Sequence, residues 1–484
     1  MRRLSLLLPA FVLALLSPGT AYADEAPQLR RSDRSLVDQY GRTVLVHGVN
    51  LVWKHAPYAP PDTPEGFTEA DAEWLAAHGF NGARLGTLWA GVSPSGPGSV
   101  DASYFTRWQR VMDLLADRGV WMQLDFHQDQ WHETYGGEGA PGWAVKRPFP
   151  YNLLPPVTAP FPLGYWTPEQ SQLWDNLWAG KDGILDAWAR SWRDVAQHWK
   201  DQPYLMGYDL LNEPWAGTEG LTTCLPFGCA SSYTKELQPA MTKALRKIRE
   251  VDPDNLVWFE PEQLSAGQGT PTNFTAVPGE EQLGFSWHSY CPAVFFESQG
   301  LPLIDVESCA SYDAKIHGRR AAETERMNAT GLMSEFGATD NVRALELDTA
   351  EADKGFTSWM YWAYKVWNDP TTADTAQGLF TEDADLTSTK PKITTLVRTY
   401  PQATCGTPGS QSFDPHTGEF HFTYVAGSCE GQPTEVFVSP LHYPDGYDVE
   451  LSGGTLAGTG EHGQLHVAAD PGATVTLTVS RATP

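Results

Sequence analysis

Residues 206–214, MGYDLLNEP, run from a short apolar strand into a polar turn that carries Glu213. Seven similar apolar segments lie between about Ser35 and Tyr400, and segments with a helical period of apolar residues separate them. Alternating strands and helices build a parallel sheet, and eight such pairs can close into a barrel. The sequence therefore predicts an α/β fold with a (β/α)8 TIM barrel over residues 30–400. The predicted strands are 44–49, 82–85, 120–126, 206–211, 256–260, 283–287, 331–334 and 358–363.

The segment 104–118 illustrates the predicted helices. It places its apolar side chains on one face at a helical spacing, so we expect that face to cover the barrel. These side chains are Phe105, Trp108, Val111, Met112 and Leu115.

The pattern changes after residue 400. Residues 401–412 are rich in Pro, Gly, Thr and Ser, which is typical of linkers and turns. The segments that follow alternate with a period of two, which indicates strands with one buried face. We therefore expect a small C-terminal antiparallel β-sandwich over residues 405–484, packed on the barrel. Its predicted strands are 419–425, 434–438, 447–451, 464–468 and 474–479.

The N-terminus has the pattern of a secretory signal peptide over residues 1–23. Two arginines precede a mostly apolar run from Leu6 to Leu16, and Ala21-Tyr22-Ala23 is a small-x-small cleavage signal. The run is too short to span a bilayer as a helix. We expect cleavage after Ala23 and a secreted, monomeric protein. An uncleaved anchor is the alternative.

The formal net charge is −26, and the isoelectric point is about 4.8. A chain this acidic has no electrostatic attraction to nucleic acid or to an anionic membrane. We therefore expect no nucleic-acid partner.

Six cysteines in an exported chain indicate disulfides, and six allow fifteen pairings. The sequential pairing Cys224–Cys229, Cys291–Cys309 and Cys405–Cys429 fits best, because each pair brackets one loop or hairpin. No Cys/His spacing resembles a zinc site, so we expect no metal and no cofactor.

Two glutamates follow apolar strands at positions that would meet at one end of the barrel. Glu213 ends the fourth predicted strand and Glu335 ends the seventh, and active sites of such barrels lie at this end. Glycoside hydrolysis needs two facing carboxyl groups: Glu213 would protonate the leaving oxygen, and Glu335 would attack the anomeric carbon. A separation of about 5 Å would indicate retention of configuration through a covalent glycosyl-enzyme. The alternative is that each glutamate forms a structural ion pair.

Asn-Glu-Pro on strand four with a glutamate on strand seven resembles clan A glycoside hydrolases, in particular family five. The resemblance covers the whole barrel and implies roles for further residues. Arg84 would hydrogen-bond the nucleophile, His127 would line the sugar subsite, and Asn212 would contact the 2-hydroxyl of the attacked sugar. His288 and Tyr290 match the pair on strand six, and Tyr290 would donate a hydrogen bond to the nucleophile.

The resemblance also implies an aromatic platform beneath the sugar. Trp362 matches that platform. Trp359 is the rival for the role, because alternation along the strand does not distinguish the two.

Lys54 follows strand one, and Asp129 closes the stretch His127-Gln128-Asp129 after strand three. This stretch resembles the endoglycoceramidase branch of family five, which releases intact oligosaccharide from ceramide. In that resemblance Lys54 and Asp129 contact the glycan. An ordinary exposed lysine is the alternative for Lys54.

The loops 128–182, 224–229 and 291–309 are rich in apolar residues. Loops are usually polar, and an exposed apolar patch marks a binding site. We expect Trp178, Phe227 and Phe295 to contact a ceramide tail at the barrel mouth. The same loops would face a lipid surface, so activity would depend on detergent or an activator. The alternative is that the loops pack on each other.

Together these features predict a secreted retaining endo-glycosidase that hydrolyses the β-glycosidic bond between oligosaccharide and ceramide in glycosphingolipids. One alternative is another family five β-glucanase or steryl β-glucosidase, with the same chemistry on a different aglycone. A second alternative, from another functional class, is a catalytically inactive protein that binds carbohydrate or lipid.

Overall fold

The structure is a computed structural model and describes residues 26–224, 228–294, 305–371 and 375–482. Three short strands, β1 (Arg30–Ser32), β2 (Ser35–Val37) and β3 (Thr43–Val44), precede a barrel of eight parallel strands. The barrel strands follow one another in chain order, and the eighth pairs with the first. This confirms the predicted (β/α)8 barrel. Its strands are β4 (His47–Leu51), β5 (Gly82–Gly86), β6 (Trp121–Asp125), β7 (Leu205–Asp209), β8 (Val257–Phe259), β9 (Leu283–Ser289), β10 (Thr330–Gly337) and β11 (Trp359–Trp362).

Helices cover the outside of the barrel. The helices are α1 (Glu69–Ala77), α2 (Trp89–Val92), α3 (Ala102–Ala116), α4 (Pro168–Trp178), α5 (Ile184–Trp199), α6 (Gly217–Glu219), α7 (Ala230–Ser232), α8 (Gln238–Arg249), α9 (Gln263–Gln268), α10 (Ser308–Met327), α11 (Val342–Gly355) and α12 (Ile393–Leu396). Asp101 caps α3 by accepting the backbone N–H groups of Ser103 and Tyr104. The apolar face predicted for this helix is buried throughout, because it covers the barrel strands.

The N-terminal strands belong to a different sheet from the barrel. The chain joins β1, β2 and β3 to four C-terminal strands in one seven-stranded sheet. The predicted strand 44–49 combines the end of β3 with the start of the first barrel strand. The apolar run continues through Leu45 and Val46, so the pattern hides the point where the chain leaves one sheet for the other.

Residues 401–412 form strands, so the prediction of a linker there was wrong. Most of them lie in β12 (Tyr400–Thr404) and β13 (Gly406–Phe413). The pairing register of β12 shifts next to Pro401, and that of β13 shifts next to Pro408. Such bulges are where strands accept Pro and Gly, so the turn-like composition reflects irregular strands.

The C-terminal strands form two antiparallel sheets that share one core. Phe420 and Phe422 of one sheet pack in the same cluster as Val436 and Val467 of the other, which confirms the predicted β-sandwich. It packs on the barrel, where Phe356 meets the ring of Phe422 at 6.4 Å. The remaining strands are β14 (Phe420–Ala426), β15 (Thr434–Phe437), β16 (Tyr447–Ser452), β17 (Thr455–Thr459), β18 (Gln464–Ala468) and β19 (Thr474–Arg481).

The three disulfides are Cys224–Cys229, Cys291–Cys309 and Cys405–Cys429, as predicted. Each closes a short segment, which limits the freedom of that segment in the unfolded chain. The predicted signal peptide lies outside the described residues. Within the described ranges, no helix is both long and apolar enough to cross a membrane.

A buried carboxyl group without a hydrogen-bond partner among the described residues lies between two outer helices. Asp313 on α10 is buried, and neither of its carboxyl oxygens has a hydrogen-bond partner among the described residues. Asp348 on α11 lies nearby and is bonded to Nε2 of His317 at 2.8 Å. Burial and the charge of Asp348 raise the pKa of Asp313 to about 9. The folded state therefore holds a proton that the unfolded chain releases near pH 4.

Because the pKa of Asp313 is raised on folding, its contribution to stability is present below about pH 4 and is lost as pH rises toward 9. Asp313→Asn removes this penalty. We expect the stability of the variant relative to the wild type to be greater at pH 8 than at pH 4.5, because asparagine has no proton to release on unfolding. The difference should be at least about 1.4 kcal/mol, the free energy of one pKa unit. Thermal unfolding at both pH values measures it, with exposed Asp201→Asn as the control. An equal gain at both pH values would contradict the prediction.

Candidate active site

Two carboxyl groups meet at the C-terminal end of the barrel. Glu213 follows β7, the fourth barrel strand, and Glu335 lies in β10, the seventh. Each residue is only 5% exposed. One imidazole lies between them, since Nδ1 of His288 is 2.9 Å from Glu213 Oε1 and 3.5 Å from Glu335 Oε2. The structure therefore brings the two predicted carboxyl groups to one point.

Hydrogen-bond donors hold both oxygens of Glu335. Nη1 of Arg84 donates to Oε1 at 2.7 Å, and the hydroxyl of Tyr290 donates to Oε2 at 2.8 Å. Burial raises the pKa of Glu335, while the charge of Arg84 and the hydrogen bond from Tyr290 oppose that rise. These are the contacts expected of Arg84 and Tyr290. They favour the ionised form of Glu335.

The surroundings of the Glu213 carboxyl group favour its protonated form. Burial and the neighbouring Glu335 carboxylate raise the pKa of Glu213 well above its usual range. Burial, together with Arg84, lowers the pKa of His288 well below its usual value, so the imidazole beside Glu213 is neutral. A proton shared by the carboxyl pair therefore resides on Glu213, and the negative charge resides on Glu335.

Asn212 is fixed at both ends of its amide. Its Oδ1 accepts Nη2 of Arg84 at 3.0 Å, and its Nδ2 donates to the carbonyl of Gln128 at 3.0 Å. The amide thus lies between Arg84 and the loop after strand three. Its contact with a sugar 2-hydroxyl stays a prediction.

Lys54 is buried, so it is not an ordinary exposed lysine. Its ammonium donates to Asp129 Oδ2 at 2.5 Å and to the hydroxyl of Thr371 at 2.8 Å, and it lies 3.0 Å from Asp369 Oδ2. An ammonium carries three N–H groups, and these three partners account for all of them. A sugar can therefore take a hydrogen bond from Lys54 only by replacing one of them. The glycan contacts predicted for Lys54 and Asp129 stay predictions.

An aromatic wall lies beside this charged group. The ring of Trp362 stacks on His127 at 5.1 Å, and the ammonium of Lys54 lies 4.8 Å from the same Trp362 ring. His127 is oriented by Asp125, whose carboxylate lies 2.8 Å from Nδ1. The rival Trp359 stacks on a core histidine at the start of the first strand, away from this end of the barrel. Of the two tryptophans, only Trp362 is placed to support a sugar.

The apolar loop after strand three divides into a buried and an exposed part. Trp131, Tyr165 and Trp174 are buried in the main core, and Trp178 is only 9% exposed, with its indole N–H bonded to the Trp215 carbonyl at 2.9 Å. The expectation that these aromatics are exposed was wrong, because they pack on each other. The exposed apolar residues of this loop are Phe149, Leu153, Leu154, Val157 and Leu163, which we call the 149–163 patch.

Two of the residues predicted to contact ceramide lie outside the described residues. These are Phe227, in the loop closed by Cys224 and Cys229, and Phe295, in the loop closed by Cys291 and Cys309.

Sequence reasoning missed two acidic groups that surround the basic side chains. Asp125, Asp209 and Glu260 lie around Arg84. Glu138 lies 3.7 Å from Lys54 and completes the group formed by His127 and Asp129. The carboxylates could hold a metal by distance alone, but each set already encloses a protein cation. Glu260 could have been found, because it follows the fifth strand as Glu213 follows the fourth.

Known proteins resemble this chain along most of its length. Residues 37–368 match the cellulase model of glycosyl hydrolase family 5, and residues 398–479 match the glycoside hydrolase family 5 C-terminal domain. The chain is 36% identical to endoglycoceramidase I of Rhodococcus hoagii (strain 103S), over 94% of this chain and 88% of that protein. It is 30% identical to an endoglycoceramidase of Cyanea nozakii, over 91% of this chain and 90% of that protein.

A solved structure supports the same relation. Endo-glycoceramidase II from Rhodococcus sp. aligns with a TM-score of 0.76 at 25% identity, covering 93% of this chain and 100% of that one. Since the family match spans more than half of the sequence and the relatives align almost end to end, the chain belongs to glycosyl hydrolase family 5 and is a glycoside hydrolase, similar over nearly its whole length to endoglycoceramidases.

Proposed function

We propose that this glycoside hydrolase cleaves the β-glycosidic bond between the oligosaccharide and the ceramide of glycosphingolipids, with retention of configuration. The observation that carries the proposal is the unequal carboxyl pair. Glu335 is bonded to Arg84 and Tyr290, and Glu213 lies beside a neutral imidazole. The likeness to endoglycoceramidases supports ceramide as the aglycone.

The spacing of the pair supports retention. Oε1 of Glu213 lies 2.9 Å from Nδ1 of His288, and Oε2 of Glu335 lies 3.5 Å from the same nitrogen. The distance between these two oxygens cannot exceed the sum of those two distances. That sum lies below the roughly 6.5 Å at which the spacing of inverting enzymes begins. The upper bound on the distance between these oxygens is thus compatible with the roughly 5–5.5 Å separation of retaining enzymes, in which the second carboxylate attacks the sugar directly.

In the first step, the Glu335 carboxylate attacks the anomeric carbon while the bond to the ceramide oxygen breaks. Glu213 gives its proton to that oxygen, which leaves as the free hydroxyl of ceramide. In the second step, a water molecule attacks the anomeric carbon and displaces Glu335. Glu213, now a carboxylate, takes the proton of that water and is ready for another cycle.

The 149–163 patch supports a lipid on the aglycone side. Phe149 is 76% exposed and Leu153 is 72% exposed, in a loop that follows the third strand at the active-site end of the barrel. A cluster of exposed apolar side chains is typical of a contact surface for proteins or membranes. We propose that the patch contacts the lipid phase that holds the substrate, and that an activator or detergent aids transfer of the substrate from an intact bilayer.

We also propose that the chain is exported. The signal-peptide pattern over residues 1–23 supports this, and so do the three disulfides, which persist in oxidising compartments.

Incubation with lactosylceramide tests the cleavage position. We expect free lactose and ceramide, because the proposed reaction breaks the bond to ceramide. Mass analysis of both products gives the answer. Release of glucosylceramide and galactose would contradict the endo position. Absence of cleavage, together with turnover of a steryl glucoside or a β-glucan, would place the chain with another branch of family 5.

Substitution of the two glutamates tests their roles. Glu335→Gln should lose at least roughly a thousandfold in kcat on every substrate, because loss of a group in the catalytic unit costs that much. Glu213→Ala should retain attack on 2,4-dinitrophenyl β-lactoside, whose leaving group needs no proton. Added azide should then release lactosyl azide, since azide displaces Glu335 without a base. Unchanged turnover by Glu335→Gln would refute the nucleophile assignment.

Changes in the 149–163 patch separate lipid contact from chemistry. Phe149→Ser with Leu153→Ser should lower the rate on lactosylceramide in phosphatidylcholine vesicles by at least about tenfold, since burial of each side chain contributes roughly 1.5–3 kcal/mol. The rate on soluble 2,4-dinitrophenyl β-lactoside should stay the same. The matched control replaces Val425, which is exposed on the C-terminal sandwich, with Ser. Equal rates for control and patch variants on vesicles would argue against lipid contact.

A further inference from the structure

Glu213 has a backbone conformation that few side chains adopt. Its φ is +36°, in the left-handed region, where a residue other than glycine is strained by about 1–3 kcal/mol. Such a conformation persists only where the surrounding structure holds it. The direction of the Glu213 carboxyl group therefore depends on whatever holds its backbone.

Two buried side chains bind the peptide groups on either side of Glu213. Oε1 of Glu260 accepts the backbone N–H of Glu213 at 2.7 Å. Nε2 of Gln128 donates to the backbone carbonyls of Asn212 at 2.7 Å and Glu213 at 3.0 Å. The N–H and the C=O of the strained residue are thus both held by side chains from other strands.

Each of these side chains is itself held by a second contact. Oε2 of Glu260 accepts Nη2 of Arg84 at 2.9 Å. Oε1 of Gln128 accepts the backbone N–H of Trp131 at 2.9 Å. Glu260 follows β8 and Gln128 follows β6, so the strands on either side of β7 carry the two groups. The barrel therefore sets the position of the Glu213 backbone from both neighbouring strands.

We propose that Gln128 and Glu260 are positioning residues that hold Glu213 in the orientation from which it protonates the leaving oxygen. The inference rests on the proposed function, in which Glu213 is the acid and base. Gln128 and Glu260 act through Glu213, so their loss should affect the steps that need its proton. Steps that need only the nucleophile Glu335 should be spared.

Leaving groups that differ in their need for a proton test this. Octyl β-lactoside loses an alkoxide that must be protonated, while 2,4-dinitrophenyl β-lactoside loses a stable phenolate. For Glu260→Gln, we expect kcat/KM to fall about a hundredfold on the octyl substrate, within the range that general acid catalysis contributes. On the dinitrophenyl substrate, kcat/KM should fall much less, since that step needs no proton, and the smaller loss reflects the contact of Glu260 with Arg84, the donor to Glu335. A glutamine at position 260 cannot accept both hydrogen bonds. Its amide NH2 would face either the Glu213 N–H or Arg84, and both of these groups are donors.

A second variant gives the same test without a charge change. Gln128→Met keeps the length of the side chain and removes its hydrogen bonds to the carbonyls of Asn212 and Glu213. It also removes the contacts of the same amide with the Trp131 N–H and the Tyr165 hydroxyl. It should show the same split between the two substrates. If Glu260→Gln does not fold, Gln128→Met decides the proposal by itself, and the thermal midpoint of each variant shows which have folded.

Two matched controls separate positioning from general damage. Glu262→Gln changes a buried glutamate two residues further on, which accepts the N–H groups of Leu264 and Ser265 at the start of α9. It should change both substrates equally. Tyr290→Phe removes the donor to Glu335 and should lower both rates equally, because both substrates need the nucleophile.

Equal losses on both substrates in Glu260→Gln and Gln128→Met would overturn the inference, since they would place the effect on Glu335 or on the fold. Unchanged rates would overturn it too. Glu213→Ala is the reference: if it shows no split, the acid assignment itself is wrong. If Glu213→Ala shows the split and the other two variants do not, only the positioning proposal fails.

Discussion

Arg84 is the group on which the acidic centre of the barrel depends. Its guanidinium is completely buried and contacts carboxyl groups from four other strands, at 2.7–3.2 Å. A lone buried charge costs several kcal/mol, so neither the arginine nor the carboxylates could remain there alone. Burial raises the pKa of Asp209 to about 7, so this carboxyl group holds its proton more readily than an exposed aspartate does.

This charge constraint favours the ionised form of one glutamate and the protonated form of the other, which supports the roles proposed for them. Arg84 donates directly to Glu335, so the negative charge of the pair is stabilised there. Glu213 meets Nδ1 of His288 instead, whose neutral ring offers no full positive charge. The roles of two chemically identical side chains thus follow from their distance to one guanidinium. The closed barrel is what makes those distances possible, because Arg84 and its partners come from strands far apart in the chain.

Much of this arrangement could be predicted because it is local in the sequence. A strand, the turn after it and one glutamate lie within a few residues, so the sequence alone located Glu213 and Glu335. The same reasoning separated α3 into a buried and an exposed face. It failed for residues 401–412, because the Pro and Gly of strand bulges have the composition of a linker. It also could not assign β1–β3 to a sheet whose other strands follow residue 400.

The rest of the site depends on pairs that are distant in sequence. Lys54 is bonded to Thr371 and lies 3.0 Å from Asp369, both more than 300 residues away, and neither partner could be inferred from the residues around Lys54. The position of Glu260 after the fifth strand could be read from the sequence, but its hydrogen bond to the N–H of Glu213 could not. Contacts of this kind appear only when the barrel closes.

The loop after strand three shows how the fold can keep apolar groups exposed. Free apolar side chains would collapse on each other, so something must hold the backbone that carries them. Arg147 does this: its guanidinium donates to the backbone carbonyls of Tyr151 at 2.6 Å and Leu154 at 2.8 Å. Glu169 in α4 anchors the same guanidinium at 2.6 Å, and α4 is fixed by the buried Trp174. The buried aromatic side chains of this loop, such as Trp174, therefore hold the backbone in the position that leaves Phe149 and Leu153 exposed. A surface held open in this way already exposes the apolar groups that the proposed contact with lipid needs.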